Sequence, residues 1–239
     1  MPNKKTITAI IVAAGSGTRF GRDKLFIKVG HKTVIGRVLE KFLYLHQQKE
    51  IQGIILVVNS KNRPQFEQFI NDHGWQNQIT LTNGGPERWQ SSLLGVKAAQ
   101  TDLVLIHDAA RPFVKLTTIR ASIKELQNKQ TAVLVAIPSV NSVKFVDDSG
   151  FNTKSLPRNN IWLAQTPQSF SRELILAAYQ KALNTGFQQM TDESELVTKF
   201  MNRSVKIVPG EDSNLKITFV GDLPLAEEIA RLEDLEILN

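Results

Sequence analysis

The chain has 239 residues, of which 41% are hydrophobic and 22% are charged, so it can bury a sizeable core and is not of the disordered class. It contains no cysteine, which excludes disulfides, thiol catalysis and thiolate metal sites and agrees with a cytoplasmic location. The net charge of +6 suits an anionic partner, but the basic residues are scattered and only three Trp and two Tyr are present, so nucleic acid is not expected.

Short apolar runs alternate with longer amphipathic stretches through the first half of the chain. The first run, residues 7–14, is too short for a signal peptide or a membrane span, so a membrane partner is not expected. Buried strands are predicted at residues 7–13, 54–58, 103–106 and 132–137, and helices at 33–45, 64–70, 87–99 and 117–126. This order predicts an α/β fold, a Rossmann-like three-layer arrangement of a mostly parallel sheet with helices on both faces.

A different pattern begins after Pro138. Residues 139–162 carry a polar turn at 147–150 with Phe145 and Phe151 on either side, which predicts a β-hairpin arm projecting from the sheet. A long surface loop is the alternative, although structureless loops of that length are uncommon. The remaining pattern predicts helices at 172–183 and 192–200, a strand at 205–208 and an amphipathic segment at 223–238. The whole chain, residues 1–239, is predicted to be one domain.

The first predicted strand ends in a glycine-rich turn, Ala13-Ala14-Gly15-Ser16-Gly17-Thr18-Arg19. Ligands of open α/β sheets bind at the carboxyl ends of strands, and glycine lets backbone N–H groups approach phosphate oxygens. The spacing fits neither a dinucleotide fingerprint nor a Walker loop. Arg19, Arg22 and Lys24 follow closely, and a triphosphate would offset their mutual repulsion. A tight turn followed by a solvated basic loop is the alternative.

The strand predicted at 103–106 also leads into charged residues. His107 and Asp108 should point to opposite faces of the sheet, because side chains alternate along a strand. The Asp108 carboxylate could hold Mg²⁺ as it bridges phosphates, and Arg111 could bind a phosphate. Alternatively, Asp108 caps the following turn and Arg111 is its ion-pair partner. No other histidine stands at ligand spacing from His107, so zinc is not expected.

A second glycine turn, Gly84-Gly85, precedes the helix predicted at 87–99. Its backbone amides could read the edge of a base or bind a phosphate near the helix N-terminus. A plain turn that starts the helix explains the same residues equally well.

Together these segments resemble the 2-C-methyl-D-erythritol 4-phosphate cytidylyltransferase family of the non-mevalonate isoprenoid pathway. The shared motifs follow in order over nearly the whole chain, at residues 13–19 with Lys24, 84–88, 107–112, 142–144, Arg158, 162–168, 191–193 and 214–218. The resemblance implies transfer of the cytidylyl group of CTP to methylerythritol phosphate, with release of pyrophosphate and with Mg²⁺ or another divalent cation as cofactor. Ribitol-5-phosphate cytidylyltransferase is the alternative enzyme, although the first loop and the second strand end follow the methylerythritol pattern.

The resemblance also implies a role for each matching position. Three side chains would be catalytic, namely Arg19, Lys24 and Lys216. The positions around CTP would be Ala13, Ala14, Gly15, Ser16, Gly17, Gly84 and Ser91. The substrate-binding positions would be Asp108, Arg111, Ser142, Arg158 and Thr166, with Asp108 also beside the metal. In the family the arm clasps a second subunit, so a homodimer is expected in which Ser142 and Arg158 serve the partner's site.

On this hypothesis a phosphate oxygen of the substrate attacks the α-phosphorus of CTP in line, and pyrophosphate leaves on the opposite side. The obstacle is the repulsion between two anions, which Arg19, Lys24, Lys216 and Mg²⁺ would offset. A non-catalytic nucleotide-binding module is the alternative from another class of protein. The presence of Lys24, Asp108 and Lys216 together favours the enzyme.

Overall fold

Strands and helices alternate along the chain in the computed structural model, which describes residues 5–15, 20, 24–128, 131–187 and 189–236. The strands are β1 (Ile7–Ala13), β2 (Lys28–Val29), β3 (Lys32–Thr33), β4 (Gly53–Val58), β5 (Ile79–Asn83), β6 (Leu103–Asp108), β7 (Ala132–Pro138), β8 (Lys144–Val146), β9 (Asn152–Ser155), β10 (Trp162–Ser171) and β11 (Lys206–Pro209). The helices are α1 (Val34–Gln47), α2 (Arg63–Asp72), α3 (Arg88–Ala98), α4 (Leu116–Gln127), α5 (Arg172–Asn184), α6 (Glu193–Met201) and α7 (Leu223–Glu236).

The central sheet has seven strands in the order β11-β7-β10-β6-β1-β4-β5. Every neighbouring pair is parallel except the two pairs formed by β10, which is antiparallel to β6 and to β7. The chain moves outward from β1 to β4 and β5 on one side, and returns to β6 on the other. The strand order therefore reverses between β1 and β6, and the crevice at their carboxyl ends is the expected ligand position of an open α/β sheet.

Helices cover both faces of this sheet, because the central strands are apolar on both sides. Ile7 and Ile11 of β1 belong to a core that includes side chains of α1, α2, α4 and α7. Ile10 of the same strand belongs to a second core with α3, α5 and α6. The expected three-layer α/β fold is thus confirmed. Among the described residues, no helix combines the length and the apolar character needed to cross a membrane.

The predicted elements lie within a few residues of the observed ones, and the differences have local causes. Helix α1 begins at Val34 because the side chain of Thr33 accepts a hydrogen bond from the Gly36 backbone N–H and caps the helix. Two strands of the sheet were not predicted, β5 and β10. β5 is an edge strand with alternating threonines, and β10 carries Pro167 among polar residues, so neither has the continuous apolar run of a central strand.

The predicted arm is a hairpin rather than a loop, formed by the antiparallel pair β8 and β9. Asp147 closes its turn, because its Oδ1 accepts from the backbone N–H groups of Ser149 and Phe151 at 3.0 and 2.9 Å. Every residue of the two strands is exposed, and the side chains of Phe145 and Phe151 are 61% and 71% exposed. The arm therefore presents large apolar side chains to solvent.

Helix α3 packs closely on the sheet at Gly95. A Cβ at Gly95 would lie 2.4 Å from Cγ2 of Ile10 and 2.9 Å from Cγ2 of Val57. Gly95→Ala should therefore lower the free energy of unfolding by about 1–2 kcal/mol, since the overlap outweighs the better helix propensity of alanine. Urea denaturation measures the change. Gly221→Ala is the matched control, because a Cβ there meets no heavy atom of the described residues within 4 Å. An equal effect in both variants would contradict the packing argument.

Candidate active site

A cavity opens at the carboxyl ends of β1 and β6, where the strand order reverses. Seven of the site residues predicted from the sequence are among its described lining residues: Ala13, Ala14, Gly15, Lys24, Ser91, Asp108 and Lys216. Arg88, to which the sequence assigned no role, lines it as well. The predictions for Ser16, Gly17 and Arg19 lie outside the described residues. Segments far apart in the chain therefore meet at one place, as the hypothesis requires.

Asp108 is the charged centre of the cavity, at the last residue of β6. Its side chain is only 9% exposed; Oδ1 accepts from Arg88 Nε at 2.9 Å, and Oδ2 pairs with Lys216 Nζ at 2.7 Å. Burial alone would raise the pKa of this carboxyl, but the attraction of Arg88 and Lys216 outweighs burial and holds the pKa well below its usual range. Asp108 is consequently ionised at neutral pH in the folded protein.

Arg111 does not form the ion pair with the Asp108 carboxylate that the alternative interpretation of the sequence predicted. Its backbone N–H donates to the Asp108 carbonyl at 3.0 Å and closes the turn after β6. Its guanidinium donates to the carbonyl oxygens of Asn214 at 2.7 Å and Ala164 at 3.4 Å. The Asp108 carboxylate thus takes Arg88 and Lys216 as ion-pair partners instead of Arg111. Arg111 is not among the described lining residues, although it lies in the turn directly behind them.

His107 points to the opposite face of the sheet from Asp108, as the alternation of the strand predicts. It is fully buried, and its ring packs against Phe42 of α1 with the centroids 5.3 Å apart. Nε2 lies 3.0 Å from the Arg111 carbonyl, which can only accept, so Nε2 carries the proton. Burial lowers the pKa of His107 to about 4, so the ring is neutral and Nδ1 is an acceptor.

Thr166 completes a hydrogen-bond relay behind the cavity. Its hydroxyl donates to His107 Nδ1 at 2.9 Å and accepts from the Asp108 backbone N–H at 3.2 Å. The Thr166 carbonyl in turn accepts from Asn214 Nδ2 at 3.0 Å. Two predicted substrate-binding residues, Arg111 and Thr166, are therefore tied together through one neutral histidine for which the sequence predicted no role.

The predicted nucleotide-binding residues Ala14, Gly84 and Ser91 lie against one another. A Cβ on Gly84 would come within 2.5 Å of the Ala14 Cβ and 2.6 Å of the Ser91 Oγ, so only glycine fits there. At Gly15, by contrast, the position of a Cβ meets no described heavy atom within 4 Å and faces open space. The approach of a ligand to the backbone at Gly15 is therefore unobstructed by described atoms.

The two predicted catalytic lysines lie beside the same short segment. Lys216 belongs to it, and Lys24 Nζ donates to the backbone carbonyl of Ile217 at 2.6 Å. The Ile217 backbone N–H donates to the Ala110 carbonyl at 2.9 Å, which attaches the segment to the turn after β6. Both lysines line the cavity, and Lys24 contacts the segment that carries Lys216.

The predicted arm residues do not join this cavity within the chain. Ser142 and Arg158 are both exposed, and they lie before β8 and after β9. Neither is among the described lining residues.

The cavity residues fit a metal ion that is held by one carboxylate together with substrate phosphates. Among the described residues, no three His, Cys, Asp or Glu side chains cluster in a way that could hold a metal ion. Mg²⁺ commonly needs no such cage, because it binds one or two carboxylates together with substrate phosphates and water. Asp108 meets that requirement, since it is ionised and lines the cavity.

The buried neutral His107 predicts how stability depends on pH. Its pKa is about 4 in the folded protein against an ordinary 6.5, so below pH 6.5 the unfolded chain binds the proton first. Stability should therefore fall as the pH drops from about 6.5 to 4, by up to about 3 kcal/mol, and this loss should be absent in His107→Gln. Urea unfolding at pH 7 and pH 5 measures it. The exposed His73 provides the control: His73→Gln should retain the wild-type decline, and a decline that persists in His107→Gln would contradict the assignment.

Comparison with known proteins agrees with the geometry. A family model described as 2-C-methyl-D-erythritol 4-phosphate cytidylyltransferase matches residues 7–232. Proteins of that name from Bacillus pumilus and Clostridioides difficile are 37% and 38% identical over 94% and 97% of this chain and 96% and 97% of their own lengths. The structure of 4-diphosphocytidyl-2C-methyl-D-erythritol synthase from Anaerococcus prevotii superposes with a TM-score of 0.83 at 35% identity, covering 95% of this chain and 97% of that chain.

These matches do not favour the ribitol phosphate alternative. This chain belongs to the 2-C-methyl-D-erythritol 4-phosphate cytidylyltransferase family, whose members are nucleotidyltransferases that transfer the cytidylyl group of CTP to methylerythritol phosphate in isoprenoid biosynthesis.

Proposed function

We propose that the cavity between β1 and β6 binds CTP and methylerythritol phosphate and that its charged side chains carry out the family's reaction. The observation that carries this proposal is the convergence of Lys24, Asp108 and Lys216 on one cavity from distant parts of the chain. Ala14, Gly84 and Ser91 would surround the cytidine on the side of the cavity next to α3. Arg111 and Thr166, which the resemblance assigns to the second substrate, would support its site through their contacts behind Asp108. Arg19, Ser16 and Gly17 keep their predicted roles at the phosphates as part of the same proposal.

The proposed chemistry needs positioning and charge rather than a protein nucleophile. A phosphate oxygen of methylerythritol phosphate is already anionic at neutral pH and can attack the α-phosphorus directly, while the bond to pyrophosphate breaks. Lys24 and Lys216 would hold the negative charge that builds up on the transferring and leaving groups. Lys216 reaches this position by exchanging its carboxylate partner, Asp108, for a phosphate oxygen.

Magnesium, or another divalent cation, is part of the proposal. Asp108 would hold it, through one carboxylate oxygen or through water, and the remaining ligands would come from phosphates and solvent. When bound, the ion would neutralise phosphate charge and orient the triphosphate. We further propose a cytoplasmic enzyme that binds neither nucleic acid nor membranes, which the lack of cysteine and the scattered basic residues support.

The role of Lys216 can be tested directly. Lys216→Met should lower kcat by about 100-fold, because the transition state loses a cation near its developing charge. The measurement is pyrophosphate release from CTP and methylerythritol phosphate at saturating concentrations, with circular dichroism to verify the fold. Lys206→Met is the control, since Lys206 is an exposed residue at the amino end of β11 and so at the other edge of the sheet. An unchanged kcat in Lys216→Met would exclude this lysine from the mechanism.

We also propose a homodimer in which each arm reaches the partner's cavity. Two observations support it: the arm exposes Phe145 and Phe151, and Ser142 and Arg158 lie on the arm outside the cavity of their own chain. Burying the exposed aromatic rings against a second subunit would stabilise the association.

Mixed dimers distinguish an arm that serves the partner from one that serves its own chain. Arg158→Ala and Lys216→Met should each be nearly inactive alone. Co-expression should restore about a quarter of the wild-type activity, because half of the dimers are mixed and each of those has one site with both residues intact. Sedimentation of the mixture verifies that mixed dimers form. If they form without restored activity, Arg158 does not act across the interface.

A further inference from the structure

Behind Arg88 lies a buried carboxylate to which no role has been given. Glu193 begins α6 and its side chain is 1% exposed. Arg88 Nη1 donates to both of its carboxylate oxygens, at 2.8 Å to Oε1 and 3.1 Å to Oε2, and the Tyr179 hydroxyl donates to Oε1 at 3.2 Å. An ionised carboxylate at this depth needs such partners, because an unpaired buried charge is strongly destabilising.

Arg88 uses the rest of its guanidinium on Asp108. Its Nε donates to Asp108 Oδ1 at 2.9 Å while Nη1 contacts Glu193, so one planar group spans two carboxylates. Burial alone would lower the pKa of Arg88, but the attraction of Glu193 and Asp108 outweighs burial and raises that pKa. The guanidinium thus joins the first residue of α3 to the last residue of β6 and the first residue of α6.

This bridge gives the two oxygens of Asp108 different surroundings. Oδ1 is held by a cation that is itself fixed from behind by Glu193, whereas Oδ2 contacts Lys216, whose side chain is 35% exposed. A guanidinium with several hydrogen bonds in a fixed plane holds its geometry better than a single ammonium on a flexible stem. Lys216 can therefore leave Asp108 for a phosphate while Arg88 keeps the carboxylate paired and oriented.

We infer that Arg88 and Glu193 are positioning residues for cytidylyl transfer, which hold Asp108 by Oδ1 and leave Oδ2 as the oxygen available to the cavity. The inference rests on the proposed function of Asp108 at the reaction site. Glu193 acts through Arg88, and Arg88 acts through Asp108. Together with Lys216, the group has two negative and two positive charges, so it is balanced before any ligand arrives.

The decisive variant removes both charges of the supporting pair. Arg88→Gln alone should be unstable, because Glu193 is left buried without its cation. Arg88→Gln combined with Glu193→Gln removes that unpaired charge and should recover most of the lost thermal stability. If Arg88 positions Asp108, kcat in the double variant should stay about 10- to 100-fold below wild type, and more Mg²⁺ should be needed for half-maximal rate.

Arg88→Lys is the second variant: it keeps a cation for folding but cannot span both carboxylates, so its kcat should also fall.

A second ion pair in the chain serves as the matched control. Arg120 contacts Glu50 through Nε and Nη2 with distances from 2.7 to 3.1 Å, away from the cavity. Arg120→Gln with Glu50→Gln should leave kcat and the Mg²⁺ requirement at wild-type values. Recovery of both stability and kcat in the Arg88/Glu193 double variant, or wild-type kcat in Arg88→Lys, would overturn the inference.

Asp108→Asn separates failure of this inference from failure of the proposed function. Full activity in Asp108→Asn would refute the role proposed for Asp108 itself. Loss of activity in Asp108→Asn together with full activity in the double variant would refute only the positioning role of Arg88 and Glu193. Loss of kcat in both, with the Arg120/Glu50 control unaffected, is the result expected.

Discussion

The compensation of one buried carboxylate organises the ligand-facing edge of this sheet. Asp108 cannot stay ionised at the end of β6 unless cations reach it, and these cations come from α3 and from the segment at residue 216. Arg88, in turn, requires Glu193 at the start of α6. Satisfying a single charge therefore draws together elements that are far apart in sequence. The convergence of Arg88 and Lys216 at this end of the sheet follows from the same requirement.

Side chains alternate between the two faces of β6, so the residue that faces the cavity is separate from the residue that supports it from the core. Asp108 faces the cavity, whereas His107 faces the core beside α1 and is held neutral by burial. The neutral ring accepts from Thr166 and donates to the carbonyl of Arg111, so the turn behind Asp108 is fixed without placing another charge near it. A protonated His107 would place a positive charge on the core side of β6, opposite the cavity.

Much of the fold was predictable because its signals are local. Continuous apolar runs identify strands such as β1, and alternation along β6 correctly places His107 and Asp108 on opposite faces. β10 was missed because its Gln165 and Gln168 are polar yet buried, through contacts that no local pattern encodes. The sequence motifs correctly predicted that Lys24, Asp108 and Lys216 lie together, since all three line one cavity. The pairing of Arg88 with Glu193 spans 105 positions and left no periodic trace, although both residues stand in recognised motifs.

The number of contacts on each cation decides which of them can serve the substrates. Arg88 is hydrogen-bonded to two carboxylates, one of them fully enclosed, so moving it would leave a buried charge unpaired. Lys216 can exchange its contact with Asp108 Oδ2 for another anion without leaving Asp108 unpaired, because Arg88 keeps its contact with Oδ1. On the proposed mechanism, a phosphate that takes Lys216 would leave Oδ2 of Asp108 without its cation, and Asp108 would then be able to hold a divalent cation through that oxygen. Because the four charges of Glu193, Arg88, Asp108 and Lys216 are balanced before a ligand binds, this group would favour a metal–nucleotide complex over the bare triphosphate, since only the complex supplies both charges at once.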